Sequence, residues 1–132
     1  MRILVAEDDA VSRRVLEAVL QRMGHVCDVA EDGNRAWERM EQEAYDVLIT
    51  DWMMPGLAGP DLCRRVRQAS GEECYVIMLT ALSGEAHVRS AMDAGADDFL
   101  TKPLDRNQLA MRLAVAGRLH ALRARVLELE RR

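Results

Sequence analysis

Short runs of consecutive apolar residues, each closed by polar or acidic residues and followed by a segment with helical periodicity, recur along this chain and leave few folds open. Val47-Leu48-Ile49 and Tyr75-Val76-Ile77-Met78-Leu79 do not alternate apolar with polar positions, so they read as strands buried on both faces, as inside a parallel sheet. Residues 2–6 are a similar run closed by Glu7-Asp8-Asp9, after which Val11, Val15, Leu16, Val19, Leu20 and Met23 recur at helical spacing until Gly24. Residues 25–30 read as a second strand, and Asp32-Gly33 opens a short helix carrying Ala36, Trp37 and Met40. After a strand at 46–50, Gly59 is expected as the cap and Pro60 as the first residue of a helix that stops near Gly71. Ser83 is expected to cap a helix ending at Ala94-Gly95, Asp98-Phe99-Leu100 forms a short last strand, and Asp105 with Gln108 resembles a capping box for a long final helix. Parallel neighbours joined through helices require right-handed crossovers, so the pattern predicts an α/β fold: a five-stranded parallel sheet, doubly wound as (βα)5, with an extended C-terminal helix.

With 132 residues, 49% of them hydrophobic, the sequence fills one compact domain. Beyond Gly117 the composition turns highly charged, yet Val115, Leu119, Leu122, Val126 and Leu129 keep a four-three-four-three spacing flanked by Arg123, Arg125, Glu128 and Glu130. We therefore expect a domain at 1–118 and a helical extension at 119–132, acting as a linker toward an output domain or as the seam of a weak parallel homodimer. A net charge of −4 gives no general pull toward nucleic acid. The first apolar run is too short for a signal peptide and no later one approaches membrane-spanning length, so a cytoplasmic protein without membrane contact is expected. Cys27, Cys63 and Cys74 lack metal or disulfide spacing and read as buried or partly buried thiols; His25, His87 and His120 are equally scattered.

In a parallel sheet all strand carboxyl ends lie along one edge, where ligands bind. That rule brings Glu7, Asp8, Asp51, Thr80 and Lys102 together from across the chain. Carboxylates about 5 Å apart repel by about 3 kcal/mol per ionised pair at an effective dielectric near 20, and so call for a cation. Oxygen-only donors suit Mg²⁺. Asp51 at a strand end is then the candidate nucleophile for an aspartyl-phosphate, with Thr80 and Lys102 stabilising the developing oxyanions. Lys102 is the only lysine among 18 lysines and arginines, which points to a site needing a compact ammonium rather than a planar fork.

An acidic pair after the first strand, Asp51-Trp52-Met53-Met54-Pro55, the pair Thr80-Ala81 and the pair Lys102-Pro103 stand in the order and spacing of a known family. Over roughly residues 1–118 the chain resembles the receiver domains of two-component response regulators, whose fold is flavodoxin-like. The resemblance implies a phosphoacceptor rather than an enzyme, in which Asp51 takes a phosphoryl group from a phosphohistidine on a histidine kinase or phosphotransfer protein. It implies Mg²⁺ held by Asp8, Asp51 and the Met53 backbone carbonyl, with Glu7 acting through a water on the metal and Asp9 at the helix cap. It implies a switch in which Thr80 and Phe99 move, altering the surface of the fourth helix, fifth strand and fifth helix, which is also a surface for homodimers. Phe99 stands where tyrosine is common, and Ala58 where many members have aspartate. Pro103 is expected to follow a cis peptide bond, and Met53 and Leu82, both apolar, to border water's approach to the phosphorus and so lengthen the phosphate's lifetime. The alternative reading is a degenerate receiver acting only as an interaction module. A phosphatase or mutase would carry a second aspartate where Met53 stands, and a nucleotide site would need a glycine-rich loop after the first strand.

Overall fold

Five strands, β1 (Arg2–Ala6), β2 (Val26–Ala30), β3 (Val47–Asp51), β4 (Tyr75–Thr80) and β5 (Asp98–Thr101), lie parallel in the order β2-β1-β3-β4-β5. They alternate with α1 (Ala10–Arg22), α2 (Gly33–Gln42), α3 (Gly59–Ser70), α4 (Glu85–Asp93) and α5 (Arg106–Glu130). The computed structural model describes residues 1–70, 73–81 and 85–132. Gly71, Leu82 and Ser83, expected as a helix stop, a site border and a helix cap, lie outside the described residues.

The period-two alternation of side chains along each strand sorts the core into two layers. Leu4, Leu48, Val76 and Met78 join Ala36 of α2, Leu62 and Val66 of α3, and Ala91 of α4 on one face. Ile3, Val5, Val47, Ile49 and Ile77 join Leu16, Val19 and Leu20 of α1 with Leu109 and Leu113 of α5 on the other. Every residue of β3 and β4 is buried, as central strands between two helical layers must be, whereas the edge strands β2 and β5 are partly exposed.

Three aspartates start helices in the same way. Asp9, Asp32 and Asp105 accept from the backbone N–H of Ser12, Arg35, and Asn107 with Gln108 respectively, satisfying donors that the first helical turn leaves open. Gly24 and Gly95 follow α1 and α4 at φ of 90° and 100°, the left-handed turn that ends a helix at little cost only in glycine.

Local boundaries differ from the sequence expectation by about one residue at several ends. The ladder pairs Asp51 with Leu79 and Thr80 with Thr101, so β3 and β4 run one residue further and include the site residues themselves. Helix α3 begins at Gly59 rather than Pro60: the Ala58 carbonyl accepts from the Leu62 N–H at 2.9 Å and so takes the cap role. Position 59 has to be glycine, because a Cβ there would collide with the Asp51 carbonyl oxygen and come within 2.9 Å of Met78 Sδ. The expected C-terminal extension is helical: α5 runs 25 residues straight through Gly117. Its last buried residue is Ala116; Leu122, Val126, Leu127 and Leu129 are exposed, so the helix simply outruns the sheet.

Candidate phosphoacceptor site

The edge formed by the strand carboxyl ends gathers the predicted residues. Asp51 closes β3 and is 8% exposed; Glu7, just past β1, is 1% exposed, and Thr80, closing β4, is 3% exposed. Asp8 lies at the surface beside them. Carboxylate oxygens of Glu7, Asp8 and Asp51 all fall within 4.8 Å of one another, the one such group among the described residues.

The Lys102 ammonium reaches this cluster from the loop after β5. Its Nζ lies 3.0 Å from Asp51 Oδ2 and 3.3 and 3.4 Å from the two oxygens of Glu7, so one point charge bridges two carboxylates. The Lys102 backbone N–H donates to the Thr80 carbonyl at 2.8 Å, which ties the lysine to the end of β4, and the Lys102–Pro103 bond is cis as expected. Asp51 Oδ1 accepts from the Trp52 N–H at 2.8 Å, which fixes the rotation of the carboxylate. Asp9 stays out of the cluster; its carboxylate accepts from the Ser12 N–H at 2.8 Å and is held below the ordinary value by that bond.

Three carboxyl groups against one ammonium leave the cluster with an excess of negative charge. The consequence appears at Glu7, whose carboxyl is pushed up to about 7 by burial first and then by its hydrogen bond to and repulsion from Asp51, with Lys102 opposing. Burial acts to lower Lys102, but the hydrogen bond and attraction of Asp51, then the charge of Glu7, outweigh it and hold the ammonium above its ordinary value. The net negative charge left on these hard oxygen donors fits a divalent cation of the Mg²⁺ class.

With that geometry in hand, similarity to known proteins is specific. The sequence model of the response regulator receiver domain matches residues 3–114. This chain belongs to that family. It is 40% identical over 119 residues to the chemotaxis protein CheY1 of Helicobacter pylori, covering 87% of this chain and 95% of that protein. It is 39% identical over 120 residues to the response regulator RppA of Synechocystis, covering 89% of this chain but only 51% of that protein, so the chain spans about half of RppA's length. Among solved structures, a response regulator receiver domain protein from Clostridium thermocellum has a TM-score of 0.85 at 26% identity, over 92% of this chain and 97% of that one. The chain is thus a receiver domain of the two-component response regulators, a phosphoacceptor family rather than a classical enzyme one, and its acidic pocket agrees with a phosphoacceptor site.

Met53 and Phe99, two further predicted residues, have different surroundings. Met53 is 70% exposed and lines an open groove with Asp8, Trp52, Met54, Pro55, Ala58 and Pro60. Phe99 is half-buried and packs against the core layer of α2, α3 and α4. Cys63 and Cys74 are buried free thiols, and burial pushes them up to about 11 and about 12, so they remain protonated. No helix among the described residues is long and apolar enough to cross a membrane.

Sequence reasoning missed two contributors to the site. Gly59 lets α3 start directly against the Asp51 backbone. Arg13 Nη1 donates to the Glu7 carbonyl at 2.9 Å. The phase of α1 would have exposed the second, since Arg13 sits three residues before buried Leu16 and Arg14 does not.

Proposed function

We propose that the Asp51 carboxylate attacks the phosphorus of a phosphohistidine on a histidine kinase or phosphotransfer protein, forming an O–P bond as the P–N bond breaks and the electron pair returns to imidazole. The observation that carries this reading is the Lys102 ammonium 3.0 Å from a buried strand-end carboxylate that also lies within an acidic triad. Asp8, Asp51 and the Met53 carbonyl would hold Mg²⁺, with Glu7 acting through a water. Bound there, the ion supplies positive charge to phosphoryl oxygens that three carboxylates would otherwise repel. Lys102 offers a second positive charge at the same place, and the Thr80 hydroxyl, buried at the end of β4, offers a hydrogen bond to one oxygen. Acetyl phosphate with Mg²⁺ should place one acid-resistant, hydroxylamine-labile phosphate on Asp51; labelling of another residue would overturn the assignment.

Phosphorylation is proposed to shift Thr80 and Phe99 and so alter the α4-β5-α5 surface. Phe99 lacks a phenolic oxygen, so packing has to carry that change. Residues 119–132 serve as a connector toward an output domain or as a dimer seam, supported by exposed Leu122, Val126 and Leu129 at coiled-coil spacing. The seam is barely two heptads long and therefore marginal by itself. Sedimentation at several concentrations should show weak dimers that strengthen with beryllofluoride; a strict monomer in both states would leave the tail a plain connector.

The phosphate should also be long-lived. Met53 is exposed and lines a groove with Asp8; by resemblance to the family, positions 53 and 82 border water's approach to the phosphorus, and a thioether or isobutyl group offers little to hold a water in line. We expect the Asp51 phosphate of a Met53→Asn, Leu82→Glu double variant to decay about tenfold faster on a Phos-tag gel at constant Mg²⁺. A wild-type decay as fast as the variant's would refute it.

A further inference from the structure

Neighbouring side chains on a strand point to opposite faces, so Glu7 and Asp8 cannot both reach one site while the backbone stays extended. Strand β1 ends at Ala6, and the two acidic residues occupy the irregular step between it and the Asp9 cap of α1. Irregular backbone beside a cluster of carboxylates needs partners for its own polar groups, since each unpaired buried one is costly. The Glu7 N–H donates to the Ala30 carbonyl at 3.1 Å. On its other side, Arg13 Nη1 donates to the Glu7 carbonyl at 2.9 Å and to the Asp8 carbonyl at 3.4 Å. A single guanidinium nitrogen therefore serves both carbonyls, closely at Glu7 and more loosely at Asp8, and makes no hydrogen bond to either carboxylate.

We infer that Arg13 is a positioning residue for the cation site, holding the 7–8 backbone so that Glu7 and Asp8 turn their carboxylates toward Asp51. The inference rests on the proposed Mg²⁺ site and assigns it a further residue. Its sign is unusual. As a mere positive charge, Arg13 repels a divalent cation, and removing it should tighten binding; as a positioning residue, removing it should loosen binding. Partners that orient metal ligands from behind are worth about 10–100-fold in affinity.

The experiment is Mg²⁺ titration by calorimetry of the intact chain and of Arg13→Met, Arg13→Lys and Arg14→Met. Arg14 is exposed on the next position of α1, so its variant makes the same charge change without the carbonyl contacts. We expect Arg13→Met to raise the Mg²⁺ Kd about tenfold and Arg14→Met to leave it unchanged or lower it. Arg13→Lys keeps the charge but ends in one nitrogen on a shorter side chain that carries it less far toward the two carbonyls, so it should fall between wild type and Arg13→Met. Acetyl phosphate labelling should need about tenfold more Mg²⁺ for half its maximal rate in Arg13→Met, with the rate at saturation close to wild type. A Kd for Arg13→Met at or below the wild-type value would overturn the inference alone, as would equal weakening by Arg14→Met. Wild type that binds no Mg²⁺ would overturn the cation site and this inference with it. If Arg13→Met does not melt cooperatively, Arg13→Lys decides, and a wild-type Kd for it counts against the inference.

Discussion

Asp51→Asn takes up no phosphate from acetyl phosphate or a kinase and keeps its fold. The amide matches the carboxylate in shape, and its oxygen can still accept the 2.8 Å bond from the Trp52 N–H, so the end of β3 stays where it is. An amide is not a nucleophile at neutral pH, and one of the three clustered carboxylates is gone, so both the attacking group and part of the cation site are lost. The fold tolerates the change because Asp51 belongs to a cluster with excess negative charge, where Lys102 remains beside Glu7 at 3.3 Å. With Asp51 neutral, the Glu7 carboxyl should fall from about 7, because only burial remains to raise it while Lys102 still lowers it. Intact-mass spectrometry after incubation with phosphodonor should show no adduct. The melting temperature should stay within about 4 °C of wild type, on the order of 1 kcal/mol. Full labelling of the variant would mean that another residue is the acceptor.

Lys102→Arg should slow phosphorylation by about 10²-fold, the usual loss when one stabilising donor is removed from a developing oxyanion. Charge is conserved in this variant, so the effect tests geometry. The ammonium now sits 3.0 Å from Asp51 and 3.3 Å from Glu7, in a space shaped by one nitrogen reached from the end of β5. A guanidinium is longer and planar, and would pair side-on with one carboxylate or push past both; neither leaves a point charge where the phosphoryl oxygens arrive. The rate of labelling by acetyl phosphate at saturating Mg²⁺ is the measurement. A wild-type rate would show that any cation serves.

Much of the site was legible in the sequence because its logic is local. A buried strand followed by a turn needs only a few consecutive residues to be recognised, and each candidate site residue stands at such a junction: Glu7 after β1, Asp51 on β3, Thr80 on β4, Lys102 after β5. The cap role of Asp9 was readable for the same reason, since a helix start is a matter of three or four residues. Gly59 resisted, because its position within α3 is set by the distant Met78 side chain and the Asp51 carbonyl rather than by its neighbours in sequence. The change of composition near residue 118 leaves α5 unbroken, as a helical extension requires, because composition alters what a helix faces without altering its hydrogen bonds.

The sequence by itself determined the elements, their order and the chemistry available at their ends, because backbone periodicity and capping act over one or two turns. Only the tertiary structure decided which charges meet. Lys102 bridges Asp51 and Glu7 because β1 lies beside β3 and β4 beside β5 in one register, a fact of strand order that no local pattern encodes. The grip of Arg13 on the Glu7 and Asp8 carbonyls likewise arises where helix phase meets the end of a strand, and it exists only once α1 has packed on the sheet.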